Sequence, residues 1–155
     1  MTAALPLAAL AEHICSAIPL SRHLDFRLLE RDGARLTLAA PLAPNQNDKG
    51  TMFAGSISTL STLAGWALTG QLAADLGCEV DVLAVNGSTE YLLPIQAEAI
   101  FVATADAELA PLFAERLPRK GKARLRVQVE AWVGEAVCAR FSGDYLARVL
   151  ATKST

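Results

Sequence analysis

The sequence predicts an α+β domain in which a mainly antiparallel sheet curves around one long buried helix. Three observations carry this expectation. Residues 50–74 contain no Asp, Glu, Lys or Arg, and a helix that is apolar nearly all round must be enclosed by protein or lipid. Residues 122–133 alternate strictly: Ala123, Leu125, Val127, Val129, Ala131 and Val133 share one face, and Lys122, Arg124, Arg126, Gln128, Glu130 and Trp132 the other. That is the period of a half-buried strand. The pairs Asp32-Gly33 and Gly134-Glu135 separate neighbouring apolar runs, as tight turns of hairpins do.

In chain order, Leu7, Leu10, Ile14 and Ala17 or Ile18 give residues 5–18 a helical face, which Pro19 ends. Residues 24–31 and 34–40 read as a hairpin, closed by Pro41 and Pro44. A polar loop from Asn45 then feeds the uncharged run, whose helical face is Phe53, Ile57, Leu60, Ala64, Ala67, Leu68 and Leu72. The run is long enough to span a bilayer. Its many hydroxyls, Gln71, and Gly55, Gly65 and Gly70 argue for a helix inside a protein instead, as does the lack of flanking basic residues. Gly77 is placed to cap its C-terminus. Strands follow at 80–92 and 97–105 around Pro94, then a short amphipathic helix at 108–117 stopped by Pro118, and last the strands 122–133 and 136–150. No linker or repeat interrupts residues 1–155, so a single domain is expected.

Composition narrows the function classes. The chain is 52% hydrophobic and 19% charged, which fits a globular domain with some apolar surface covered by a second subunit. A net charge of −2 offers no general attraction to nucleic acid. Cys15, Cys78 and Cys138 are widely spaced, as in a reduced, cytoplasmic protein, and the N-terminus lacks the basic start of a signal peptide. With only His13 and His23 present, no metal site is expected.

The start of the central helix is the first candidate for chemistry. Backbone N–H groups near Ala54, Gly55 and Ser56, at the positive end of the helix dipole, are suited to polarise a carbonyl. Gly55 would leave room for close approach, or else serve helix–sheet packing. Asp48 beside it would act as base or nucleophile, or else form a local turn with Lys49. Asn47 offers an amide to orient water or a carbonyl, with turn formation as its alternative. Ser58, Thr59 and Thr62 bring hydroxyls, which on buried helices usually bond local carbonyls. Glu90 shares a strand face with Asn86 and Ser88 and reads as exposed. Arg116, Arg119, Lys120, Lys122, Arg124 and Arg126 form a basic cluster, suited to phosphates or an acidic partner protein, or simply to a solvated face.

Two stretches carry a resemblance. Asn45-Gln46-Asn47-Asp48-Lys49-Gly50-Thr51-Met52-Phe53-Ala54-Gly55-Ser56, continuing to Leu63-Ala64-Gly65-Trp66, resembles the hallmark loop and helix of the hotdog-fold thioesterases typified by the C-terminal domain of YiiD. Tyr91-Leu92-Leu93-Pro94-Ile95 resembles the strand-ending Y-L-x-P motif of hotdog domains, and Lys120-Gly121-Lys122-Ala123-Arg124 that family's entry to its penultimate strand. The resemblance implies a hotdog fold, a homodimer, and hydrolysis of thioesters of coenzyme A or acyl-carrier protein. It implies no cofactor beyond the carrier; that no membrane and no nucleic acid are involved is the expectation of the composition and charge above. Together with the residue readings above, the resemblance singles out Asp48, Asn47, Gly55 and Thr62 as the candidate catalytic residues. Substrate contacts would come from Phe53, Ala54, Ser56, Arg119, Lys120, Lys122 and Arg124. Against the phenylacetate-type thioesterase loop, Asn47 and Gly50 match, but Phe53 stands for its His and Ala54 for its first Gly. Thr62 stands where those enzymes carry a helix carboxylate. A hotdog dehydratase, which uses the loop His, and a non-catalytic acyl-thioester binder are the alternatives.

Overall fold

The computed structural model describes residues 3–151. Helix α1 (Leu7–Ala17) buries Leu10 and Ile14. Pro19 opens a 3-10 turn (Pro19–Leu24), and Asp25 in the left-handed region ends it. The first strand, β1 (Arg27–Asp32), therefore begins three residues later than the pattern of apolar residues suggests. It pairs with β2 (Arg35–Ala40) across the expected turn, with Gly33 at φ 53°.

The long helix α2 spans Ala54–Asp75, 22 residues and thus about 33 Å. It packs against β2, β3 (Val80–Tyr91), β4 (Ala99–Ala105), β5 (Lys122–Val133) and β6 (Ala136–Val149). Ile57, Leu60, Leu63, Ala64, Ala67, Leu68 and Ala73 are buried, so the uncharged run is covered by the curved sheet. Among the described residues no helix is long and apolar enough to cross a membrane. The hydroxyls are spent locally: Thr59, Thr62 and Thr69 donate to the carbonyls of Gly55, Ser58 and Gly65, four residues back. Gly77, at φ 72°, ends the helix as expected, its N–H donating to the Ala74 carbonyl.

The sheet is six-stranded, in the order β1-β2-β4-β5-β6-β3, and every pair is antiparallel. The alternation of β5 is realised: Ala123, Leu125, Val127, Val129 and Ala131 are buried towards α2. Helix α3 (Leu109–Lys120) buries Phe113 and Leu117 and runs through Pro118. The proline forfeits only one N–H near the helix end, where Gly121 turns the chain at φ 71°. Strand β3 forms one free edge, mostly exposed, with a bulge between Ala84 and Asn86.

Candidate functional site

The loop before α2 is built by two asparagines. Asn45 is buried and donates from Nδ2 to the carbonyls of Leu24 and Pro41, at 2.8 and 2.9 Å, fixing the loop to the turn after α1. Asn47 organises the tip. Its Oδ1 accepts from the N–H groups of Lys49 (2.8 Å) and Thr51 (3.1 Å), and its Nδ2 donates to Thr51 Oγ1 (2.8 Å). The loop then crosses to the sheet end, where the Met52 N–H donates to the Ile95 carbonyl at 2.8 Å.

At the helix start the residue in the capping position is Phe53, which has no oxygen to offer the first turn. The N–H groups of Ala54, Gly55 and Ser56 have no acceptor within the helix. Ala54, the first of the three, lines a cleft of about 310 Å³ together with Asn47, Thr51, Met52, Ile57 and the run from Tyr91 to Ile95. The Tyr91 hydroxyl reaches across it and donates to the Ala54 carbonyl at 3.1 Å. The arrangement is an uncapped, positively polarised helix end facing a largely apolar slot. An oxygen that gains negative charge during a reaction is stabilised in such a place.

Two further contacts tie α2 to the edge strand. Ser58 Oγ and Thr89 Oγ1 stand 3.5 Å apart, and the Trp66 indole N–H donates to the Val82 carbonyl at 3.0 Å. Along α2 the helix face beside β3 is thus polar near its start and aromatic further on.

The structure brings Asn47 and Ala54 together on the cleft, with Gly55 next in the chain, and places Asp48 and Thr62 away from the lining. The Asp48 side chain is 79% exposed on the loop tip, its carboxylate 2.9 Å from Lys49 Nζ. It does not line the cleft. Thr62 lies on α2 two turns further on, its hydroxyl bonded to the Ser58 carbonyl at 2.8 Å. Phe53, read from the pattern as part of the buried helix face, precedes the helix and is 55% exposed. Its ring lies over Gly55, where a Cβ would come within 3.0 Å of Phe53 Cδ1. The missing side chain at Gly55 therefore makes room for Phe53 rather than for the sheet. Ser56 is half-buried in the first turn.

The basic residues are elsewhere. Lys122 and Arg124 point away from α2 at the far end of β5. Ala131, level with Ala139 and Tyr91 near the cleft, is nine residues from Lys122, about 30 Å along the strand. Arg119 pairs with Glu115 one helical turn earlier, and Lys120 is the last residue of α3. Glu90 lies on the outer sheet face, opposite Arg140. Tyr91, Ile95 and Ile57 line the cleft, although in the sequence Tyr91 and Ile95 read only as part of a strand-ending motif and Ile57 only as apolar helix face. The Y-L-x-P stretch was visible, but its distance from the helix start is set only by folding.

A family model described as "Putative thioesterase (yiiD_Cterm)" matches residues 7–149. The chain is similar to a Shewanella oneidensis protein described as a "putative thioesterase", with 31% identity and a TM-score of 0.83, covering 93% of this chain and 97% of that one. A Chlorobaculum tepidum protein of unknown function is 25% identical, with a TM-score of 0.83 over 92% of this chain and 94% of its own. A thioesterase of Haemophilus influenzae shares the fold at 14% identity, with a TM-score of 0.76 and full coverage of both chains.

Proposed function

Because the chain belongs to the YiiD C-terminal thioesterase family and has its hotdog fold, we propose that it hydrolyses acyl thioesters of coenzyme A or acyl-carrier protein. The observation that carries this reading is the uncapped start of α2 opening on the apolar cleft. The thioester carbonyl oxygen sits at the N–H groups of Ala54 and Gly55. Water adds to the carbonyl carbon and gives its proton to Asp48, swung in from the exposed loop tip. The π electron pair moves onto the oxygen, where the helix end stabilises it. When the carbonyl reforms, the C–S bond breaks and the thiolate takes the proton from Asp48. Asn47 keeps the loop in the shape that presents Asp48.

We also assign a homodimer formed through β3. Its outer edge is unpaired, and Leu83 and Val85 are exposed along it. Phe53, Tyr91, Leu92 and Leu93 extend the exposed apolar surface to the cleft. An edge of this kind invites a second strand. A two-fold axis sets the start of one β3 beside the end of the other. The basic residues Arg119, Lys120, Lys122 and Arg124 of one subunit then flank the cleft of its mate, and are assigned to the phosphates or acidic surface of the carrier. The three thiols are unpaired, which fits a reducing, cytoplasmic setting.

The test is steady-state hydrolysis of an acyl-CoA panel from acetyl to palmitoyl, with aromatic acyls, by wild type and Asp48→Ala. Turnover that collapses in the variant is expected, since the exposed Asp48 side chain contributes nothing to packing. Turnover surviving in Asp48→Ala would remove Asp48 from the mechanism. A second reading, an acyl-thioester binder without turnover, is favoured by one observation: α2 carries no carboxylate before Asp75. Saturable binding with no hydrolysis of any substrate would establish it.

A further inference from the structure

The hydroxyl groups around the helix start differ in how firmly they are held. Thr59 and Thr62 donate to carbonyls of their own helix at 2.7 and 2.8 Å. Thr51 Oγ1 receives the Asn47 amide within the loop. Tyr145 is fully buried, with its hydroxyl on the Thr62 carbonyl at 2.9 Å. Ser58 Oγ stands 3.5 Å from Thr89 Oγ1 outside the cleft lining; within that lining the loosely held hydroxyl is Tyr91. It is 52% exposed, lines the cleft, and makes a hydrogen bond of 3.1 Å to the Ala54 carbonyl. For an O–H donor that is long. Its acceptor, as the first residue of a helix, already receives the N–H four residues on. Tyr91 therefore holds a surplus bond whose exchange leaves no buried group unsatisfied.

We propose that Tyr91 is a catalytic residue for the thioester hydrolysis assigned above: in the substrate complex its hydroxyl leaves the Ala54 carbonyl and donates to the thioester carbonyl oxygen. This rests on the thioesterase reading and supplies what that reading lacks, a side-chain donor beside the backbone N–H groups of Ala54 and Gly55. The phenol stays protonated throughout. As water adds and the electron pair moves onto oxygen, the Tyr91 O–H strengthens its bond to the developing charge. It lets go when the carbonyl reforms and the thiolate departs. The ring meanwhile walls the slot together with Leu92 and Ile95, so the same residue bounds the acyl group.

The experiment compares wild type, Tyr91→Phe and Tyr91→Ala on the best substrate of the panel, reading kcat, KM, the pH profile and the melting temperature. Tyr91→Phe keeps the wall and removes the donor. A fall in kcat of about 10²-fold is expected, with KM, melting temperature and the shape of the pH profile close to wild type. Tyr91→Ala should lose kcat similarly and raise KM as well. A Tyr91→Phe enzyme with wild-type kcat would overturn the assignment while leaving the thioesterase standing. Loss of a limb of the pH profile in Tyr91→Phe would also overturn it, because that marks proton transfer rather than donation. A wild type without turnover on any substrate would instead refute the thioesterase reading, and this role with it.

Discussion

The Tyr145 hydroxyl donates to the carbonyl of Thr62 at 2.9 Å, and its ring fills the space that a side chain at position 65 would occupy. A Cβ on Gly65 would come within 2.6 Å of Tyr145 Cε2. Helix α2 and strand β6 are thus locked at one point by a missing side chain and a buried aromatic. Gly65→Ala should destabilise the protein by about 1–3 kcal/mol, the usual cost of overpacking a filled core. Tyr145→Phe should cost about 1 kcal/mol through the lost hydrogen bond. Urea unfolding of the two variants measures both.

Burial pushes the Tyr145 phenol above its ordinary value of 10.0. A group whose folded pKa is raised holds its full stabilisation below the unfolded pKa and loses it as pH rises towards the folded one. Wild type should therefore lose stability progressively above about pH 10. Tyr145→Phe should lack that component. Unfolding curves taken up the alkaline range will show whether the two converge.

The Arg126 guanidinium donates twice to the Asp144 carboxylate, at 2.8 and 3.3 Å, and Asn86 adds a third donor at 3.1 Å. Arg126 first, and Asn86 with it, hold Asp144 below its ordinary value of 3.8, against a partial offset from burial. A depressed carboxylate stabilises the fold above its unfolded pKa and loses that contribution as pH falls through the folded one. Arg126→Ala should flatten the acid limb of the stability profile below about pH 4. Its effect near neutrality should be small, because the pair is partly solvated and salt screens it. An acid limb as steep in the variant as in wild type would remove this pair as its source.

Gly55→Ala should push the Phe53 ring off the first turn of α2. Since Phe53 is exposed, the ring can yield, so the melting temperature should change little. The cleft mouth changes shape instead, and KM for acyl-CoA should rise. An unchanged KM would show that Phe53 does not border bound substrate.

Leu83→Asp on the free edge of β3 should convert the proposed dimer to monomer, as measured by sedimentation velocity, because a charge on an edge strand opposes pairing. Lys122→Glu with Arg124→Glu should leave the dimer intact and raise KM for coenzyme A esters, with a weakened dependence on salt. A monomeric wild type would overturn the first expectation and remove the ground for the second.

The α+β class, the order of elements, the buried central helix and the two faces of β5 were legible in the sequence. They follow from local signals: period, charge-free length and the turn residues at Gly33, Gly77 and Gly134. The family could be seen in the Asn45–Ser56 loop, because its chemistry is contiguous in the chain. Other features depended on partners distant in sequence. Phe53 read as core because apolar spacing does not tell where a helix begins, and Tyr91 went unselected because 37 residues separate it from Ala54. The basic run read as part of the site, and the length of β5 sets Lys122 apart from the cleft of its own subunit. The sequence by itself determined which segments are helix and strand and which faces are apolar, since those depend on neighbouring side chains. Only the tertiary structure decided that Tyr91 meets the start of α2, that Gly55 accommodates Phe53 and Gly65 accommodates Tyr145, and that Asp48 stands at an exposed tip. The Tyr91 and Tyr145 contacts join segments far apart in the chain, and strand register and helix position in the assembled core set them.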